Sequence, residues 1–180
     1  MSKKVILLFA NGTEETEAVT PADMLIRAGA ELTVAGQGGV ERTGSHGIRV
    51  MCDKAVSECK NDDFDLLIIP GGMPGTNNIE ADADCRYLIE MAAKEGKFIG
   101  AICAAPKILG GMGLLNGKKA TCYPGFEPKL TGAKTGGRVV RDGNIITAAG
   151  AGTAVEFGAE LIRALYGDET AKTVLSAIIA

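Results

Sequence analysis

The chain has 180 residues, 46% apolar and 23% charged, which suits one globular domain, 1–180, with room for a sizeable core. A net charge of −3 supplies no basic face for a phosphate backbone, and 4% aromatics with no Trp leave little to stack on bases or sugars, so no direct nucleic-acid binding is expected. No stretch reaches the ~18 apolar residues of a membrane helix, and Met1-Ser2-Lys3-Lys4 runs straight into a short strand, so no membrane association and a cytoplasmic location are expected.

The apolar run 5–9 predicts a strand buried on both faces. A helix over 14–27 follows, ended by Gly29. The run 31–35 predicts a second strand, and 40–51 a short hairpin with Gly38, Gly39 and Gly44 at its turns. A third buried strand, 66–69, stops at Pro70-Gly71-Gly72; a helix over 82–95 is capped by Gly96. Strand 98–102 leads almost at once into a helix over 106–112, with Pro106 in its first turn. A strand at 120–122, a hairpin of 139–141 and 144–148 about Asp142-Gly143, a helix capped by Thr153 and running to 166, and a last helix over 168–178 complete the chain. Strand and helix alternate throughout, which predicts an α/β fold with a mainly parallel sheet and helices on both faces. Sites in such sheets lie beyond the carboxyl ends of the strands. Three loops leave those ends: 11–13, 70–78 and the turn at Cys103.

The five cysteines, 52, 59, 85, 103 and 122, include no C-x-x-C pair, and His46 is the one histidine, in a loop expected to be exposed. Neither a disulfide framework nor a zinc site is expected, and most of these thiols should be small buried hydrophobes. Cys103 is set apart by Gly100-Ala101-Ile102-Cys103-Ala104-Ala105-Pro106. Either it is one more buried Cys at a strand end, or small neighbours allow a strained turn that thrusts its side chain out above the sheet. In the second case the helix after it aims free N–H groups at the sulfur and should lower the thiol pKa. Pro70-Gly71-Gly72-Met73-Pro74-Gly75, taken alone, is either an ordinary Gly-rich turn or a bare backbone able to approach a negative charge. Glu14 and Glu15 suit surface charges that offset a helix dipole. Glu17, a turn deeper and followed by Ala18-Val19, can turn inward, where a protonated carboxyl would donate to a thiolate. Gly36-Gln37-Gly38-Gly39-Val40-Glu41 and Gly150-Ala151-Gly152-Thr153 both lack the third Gly of a dinucleotide fingerprint, and no Walker-type Gly-Lys-Ser/Thr occurs. No cofactor is expected.

Glu14-Glu15-Thr16-Glu17, Pro70-Gly71-Gly72, Ala101 to Pro106 and Ala149 to Thr153 follow the order and spacing of the ThiJ/PfpI superfamily, and the closest resemblance is to the branch of the Parkinson-associated protein deglycase and its bacterial relatives. The resemblance covers nearly the whole chain. It implies a flavodoxin-like three-layer sandwich and a homodimer. Cys103 would be the reactive, oxidation-sensitive thiol, Glu17 its protonated partner, and the N–H groups of Gly71, Gly72 and Ala104 would face the substrate oxygen. Implied activities are a cofactor-free glyoxalase or deglycase acting on a small aldehyde, methylglyoxal, or on glycated protein or nucleotide, within protection against carbonyl and oxidative stress. Redox sensing and chaperone-like protection are implied as the non-enzymatic alternative. Superfamily peptidases carry His directly after the Cys; Ala104 stands there, which argues against a peptidase. Many relatives carry a His in a Thr-x-His-Pro context about twenty residues on. Here Thr121-Cys122-Tyr123-Pro124 puts Tyr123 at that position, and a phenol is a poor general base at neutral pH.

Overall fold

The structure, a computed structural model, describes residues 2–180. The first half of the chain forms β1 (Lys4–Phe9), α1 (Glu15–Arg27), β2 (Glu31–Gly36), β3 (Glu41–Thr43), β4 (Arg49–Met51), β5 (Lys54–Ala55) and β6 (Leu66–Ile69). Next come α2 (Gly75–Ala81), α3 (Ala83–Lys94), β7 (Phe98–Ile102) and α4 (Pro106–Gly111). The chain closes with β8 (Lys119–Ala120), β9 (Lys134–Thr135), β10 (Val139–Asp142), β11 (Ile145–Ala148), α5 (Ala154–Tyr166) and α6 (Asp168–Ala177).

The main sheet has the order β10-β11-β7-β6-β1-β2-β5. Each neighbouring pair is parallel except β10 with β11, which is the hairpin expected about Gly143. Apolar side chains alternate across it. Val5, Leu7 and Phe9 of β1 join the core under α1, α5 and α6; Ile6 and Leu8 join the core under α3 and α4. A strand clad on both faces needs a continuous apolar run, which is why β1, β6 and β7 read so plainly. The result is the α/β, flavodoxin-like sandwich expected. Among the described residues no helix is long and apolar enough to cross a membrane.

Several elements differ from expectation. The helix predicted over 82–95 is preceded by a separate α2, and Asp82 is the cap between them, with Oδ1 accepting from Asp84 N and Cys85 N at 2.9 Å each. The strand expected at 120–122 is only Lys119–Ala120, paired with the unforeseen β9. Thr153 sits at the start of α5, but its hydroxyl donates back to Gly150 O at 2.8 Å instead of capping the helix.

From β1 the chain moves outward to β2 on one side, then returns to β6 on the other. The loops after β1 and β6 therefore diverge from adjacent strand ends, the usual place for a site in an open parallel sheet. The turn after β7 lies one strand further on.

Candidate functional site

Cys103 has φ +64°, one of two non-glycine residues in the left-handed region among those described. That conformation costs about 1–2 kcal/mol for an L-residue and persists because the surroundings fix it. Cys103 N donates to Ala148 O of β11 at 2.8 Å, and Cys103 O accepts from Tyr123 N at 2.8 Å. Ala104 and Ala105 are buried, so larger side chains there would collide with the core. The turn leaves Cys103 half-buried, whereas Cys52, Cys59, Cys85 and Cys122 are all 5% exposed or less.

Glu17 comes from the first turns of α1 and is 1% exposed. Its carboxyl accepts from Gly71 N at 3.0 Å and from the Ala151 N–H, and it shares a hydrogen bond with the Cys103 thiol. The N–H groups of Gly72 and Ala104 point at the sulfur. Glycine is required in the loop for space: a Cβ on Gly71 would sit 2.6 Å from Cys103 Cβ, and one on Gly72, at φ +89°, 2.6 Å from Gly12 O. The loops after β1 and β6 are laced together by Glu14 N donating to Gly71 O at 3.0 Å and Gly75 N to Gly12 O at 3.2 Å.

Burial raises the Glu17 carboxyl to about 7, reinforced by the charge of Glu14 and opposed by its hydrogen bonds to Cys103, Gly71 and Ala151. Burial likewise pushes the Cys103 thiol up to about 12, and the Glu17 carboxylate adds to it; the N–H groups of Gly72 and Ala104 pull the other way. The expectation of a thiol lowered by its helix is therefore overturned. Helix α4 is only six residues, and its N–H groups are outweighed by desolvation and a neighbouring anion. The two groups titrate as a pair, which parts with one proton near 7 and the next near 12. Between those values the pair holds one proton, and the carboxyl and thiol remain hydrogen-bonded to each other. Two backbone N–H groups await an anion on either side, Gly71 and Ala151 at the carboxylate, Gly72 and Ala104 at the sulfur. The form with Glu17 protonated and Cys103 ionised is the nucleophilic one.

Glu14 and Glu15 are not plain surface charges. Glu14 caps α1 by accepting from Glu17 N at 2.8 Å. Glu15 is 6% exposed and accepts from His46 N at 2.9 Å, His46 Nδ1 at 3.0 Å and Ser45 Oγ at 3.3 Å, clasping the β3–β4 hairpin to α1. Burial would raise its pKa, but the His46 side-chain and backbone hydrogen bonds hold it at about 2. His46 is exposed, as expected. Among the described residues Glu14, Glu15 and His46 are the one group whose ligand-type atoms lie close enough to share a metal ion, and the caps and clasp above already engage them. Tyr123 meets the site through its backbone; its ring, 51% exposed, lies beside Gly150, and its hydroxyl makes no hydrogen bond among the described residues. Missed from sequence was Ala151, whose N–H reaches Glu17 from the Gly150-Ala151-Gly152-Thr153 loop, which lacks the third Gly of a dinucleotide fingerprint. The glycines flanking it were the available signal.

The model of the DJ-1/PfpI family matches residues 3–164. Protein DJ-1 homolog B of Arabidopsis thaliana is 41% identical over 99% of this chain, which spans 42% of that relative's length, less than half of it. A Caenorhabditis elegans protein named glutathione-independent glyoxalase DJR-1.2 is 33% identical, the match covering 95% of this chain and 92% of the relative. The crystal structure of Drosophila melanogaster DJ-1beta superposes with a TM-score of 0.95 at 35% identity, covering 100% of this chain and 99% of that one. Sequence and fold agree: this chain belongs to the DJ-1/PfpI family.

Proposed function

We propose that the protein is a cysteine-dependent, cofactor-free glyoxalase acting on methylglyoxal or a similar small α-oxoaldehyde. The observation that carries this reading is the half-buried Cys103 thiol on its strained turn, hydrogen-bonded to the buried Glu17 carboxyl, with backbone N–H donors at both groups. The Cys103 thiolate attacks the aldehyde carbon, forming a C–S bond, and the carbonyl oxygen takes a proton to give a hemithioacetal. Gly72 and Ala104 N–H groups stabilise the negative charge on that oxygen as it develops. Glu17 as carboxylate removes the proton from the former aldehyde carbon and returns it to the neighbouring carbon. The product is a lactoyl thioester, an isomer of the hemithioacetal, so no oxidant or reductant is consumed. Water then cleaves the C–S bond, releasing lactate and the thiol. Addition to a glycated group by the same thiolate, returning the free amine, is the deglycase form of this reading. The glyoxalase name of the nematode relative supports the reaction class. Lactate release from methylglyoxal is expected for the native protein and a loss of at least about a hundredfold for Cys103→Ser; equal rates for the two would sink the mechanism.

The second reading is a redox sensor, favoured by Cys103 being the one thiol of five that is not buried. Peroxide oxidises the thiolate to a sulfenate, with water released, and a second equivalent gives a sulfinate held by Glu17 and the Gly72 and Ala104 N–H groups. Intact mass after mild peroxide should show oxygen on Cys103 ahead of the other four; uniform oxidation would count against this reading.

The protein also acts as a homodimer in this reading. Val19 and Ile26 of α1, each more than half exposed, and Val50 of the β3–β4 hairpin line an apolar depression of about 260 Å³, and Ile48 and Met51 of the same hairpin are also more than half exposed.

A further inference from the structure

Gly72 and Ala104 belong to different loops, yet both aim an N–H at one sulfur. The ladder between β6 and β7 ends at the Ile69–Ala101 pair, so no strand hydrogen bond sets the spacing of those loops beyond it. The helices that follow them do meet. Lys107, in the first turn of α4, places Nζ 2.6 Å from Asn77 Oδ1 and 2.6 Å from Glu80 Oε2, both on α2. Only 14% of the Lys107 side chain is exposed, so this is no loose surface pair.

Lys107 is poorly placed for α4 alone. A cation in a first helical turn opposes the helix dipole. Helix α4 is six residues long and ends in Gly110-Gly111, too short and too glycine-rich to hold itself. The Glu80 carboxylate on α2 offsets the first, and burial of Ile108 and Leu109 in the core offsets the second. The clamp also connects back to the two loops. Thr76 Oγ1 of α2 donates to Gly72 O at 2.9 Å, and Lys107 N donates to Ala104 O at 3.2 Å. A short path of covalent and hydrogen bonds thus runs from Gly72 through α2, across the Lys107 ammonium, and through α4 to Ala104. Helix α2 is also tied to the loop after β1 by Asn78 Nδ2 donating to Asn11 O at 2.8 Å, and Lys107 supplies its side-chain tie to α4.

We propose that Lys107 is a positioning residue, clamping α2 to α4 through Asn77 and Glu80 so that the Gly72 and Ala104 N–H groups stay at a fixed separation across the Cys103 sulfur. The proposal rests on Cys103 being the reactive thiol, as read above, but not on turnover. Its test is the iodoacetamide alkylation rate of Cys103 from pH 5 to 10, with amide hydrogen exchange at Gly72 and Ala104. Lys107→Met keeps the stem and removes the charge; alkylation at pH 7.5 should fall roughly tenfold and both amides should exchange faster. Lys107→Arg, whose fork also reaches a carboxylate and an amide oxygen, should restore most of the rate. Glu80→Gln separates position from charge. Removing an anion would speed alkylation if Lys107 acted only by its field, whereas a loosened clamp slows it. Wild-type alkylation and exchange in Lys107→Met would overturn the proposal even if thermal stability fell. Should Lys107→Met fail to fold, the sign of the change in Glu80→Gln decides alone: slower supports the clamp, unchanged or faster overturns it. A native protein that releases no lactate while Lys107→Met still alkylates slowly would sink the glyoxalase reading and leave the clamp standing.

Discussion

At Glu17 burial and chemistry pull on the same proton. A carboxyl 1% exposed resists ionisation, and its pKa rises from 4.5 to about 7. The unfolded chain ionises this group near its ordinary value, so between about 4.5 and 7 the folded state holds the extra proton. Folding stability contributed by a protonated Glu17 is therefore fully present below about 4.5 and is lost as pH rises through 7. The rise corresponds to roughly 3 kcal/mol at most. Glu17→Gln keeps an oxygen for the Gly71 and Ala151 N–H groups and cannot ionise. The variant should gain stability relative to native protein as pH rises from 5 to 7.5, by denaturant unfolding at each pH. His46, raised by its hydrogen bond to Glu15, also loses stabilisation above its ordinary range, but it is common to both proteins and cancels in the difference. A constant difference across that range would show that Glu17 is not held protonated. Sequence made Cys103 legible because a buried strand, small neighbours and Pro106 sit within a few residues of it. Its pKa was not legible: the anion and the burial that raise it come from α1 and the loop after β6, distant in sequence. Glu15 was misread for the same reason. Its burial depends on Gly44, where any Cβ would collide with the Glu15 carboxyl, thirty residues away in a hairpin that shows no charge pattern of its own.

The elements that read correctly are those whose pattern is set by the sheet. β1, β6 and β7 are apolar on both faces, and α5 carries Phe157, Leu161 and Ile162 on one side. Those that did not read are held by contacts beyond their own residues. Helix α2 begins Gly75-Thr76-Asn77-Asn78, poor helix formers throughout, and exists because Asn78, Asn77 and Glu80 are tied to Asn11 and Lys107. Strands β5 and β9 are two residues each and have no period to detect; β5 is defined by pairing with Ala35 and Gly36 of β2. Helix α1 shows the opposite case, a helix read correctly despite Pro21 in its interior. Pro21 removes the hydrogen bond to the Glu17 carbonyl one turn earlier, and packing of Ala18, Met24 and Leu25 against the sheet makes up for it.

For the molecule as a whole, the sheet brings three loop ends to one edge and leaves one apolar face without cover. Val19 is 55% exposed, Ile26 56%, Ile48 58% and Met51 70%, an unusual concentration on one α-helix and one hairpin. Burying the exposed half of each contributes about 1 kcal/mol by area, so four from each of two copies make a symmetric contact worth having once polar pairs at its rim are added. The hairpin in this face is the one Glu15 holds against α1, two residues before Glu17, so a second copy seated there would stiffen the same turn that carries the candidate acid. Sedimentation at micromolar protein should therefore give twice the chain mass. Ile26→Glu and Met51→Glu each put a carboxylate into the contact and should shift the protein to monomer at the same concentration, while changing secondary structure little, because both side chains already face solvent within one copy. A native protein that sediments as a monomer at 100 times that concentration would refute the dimer, and a dimer untouched by both substitutions would place its interface on another face.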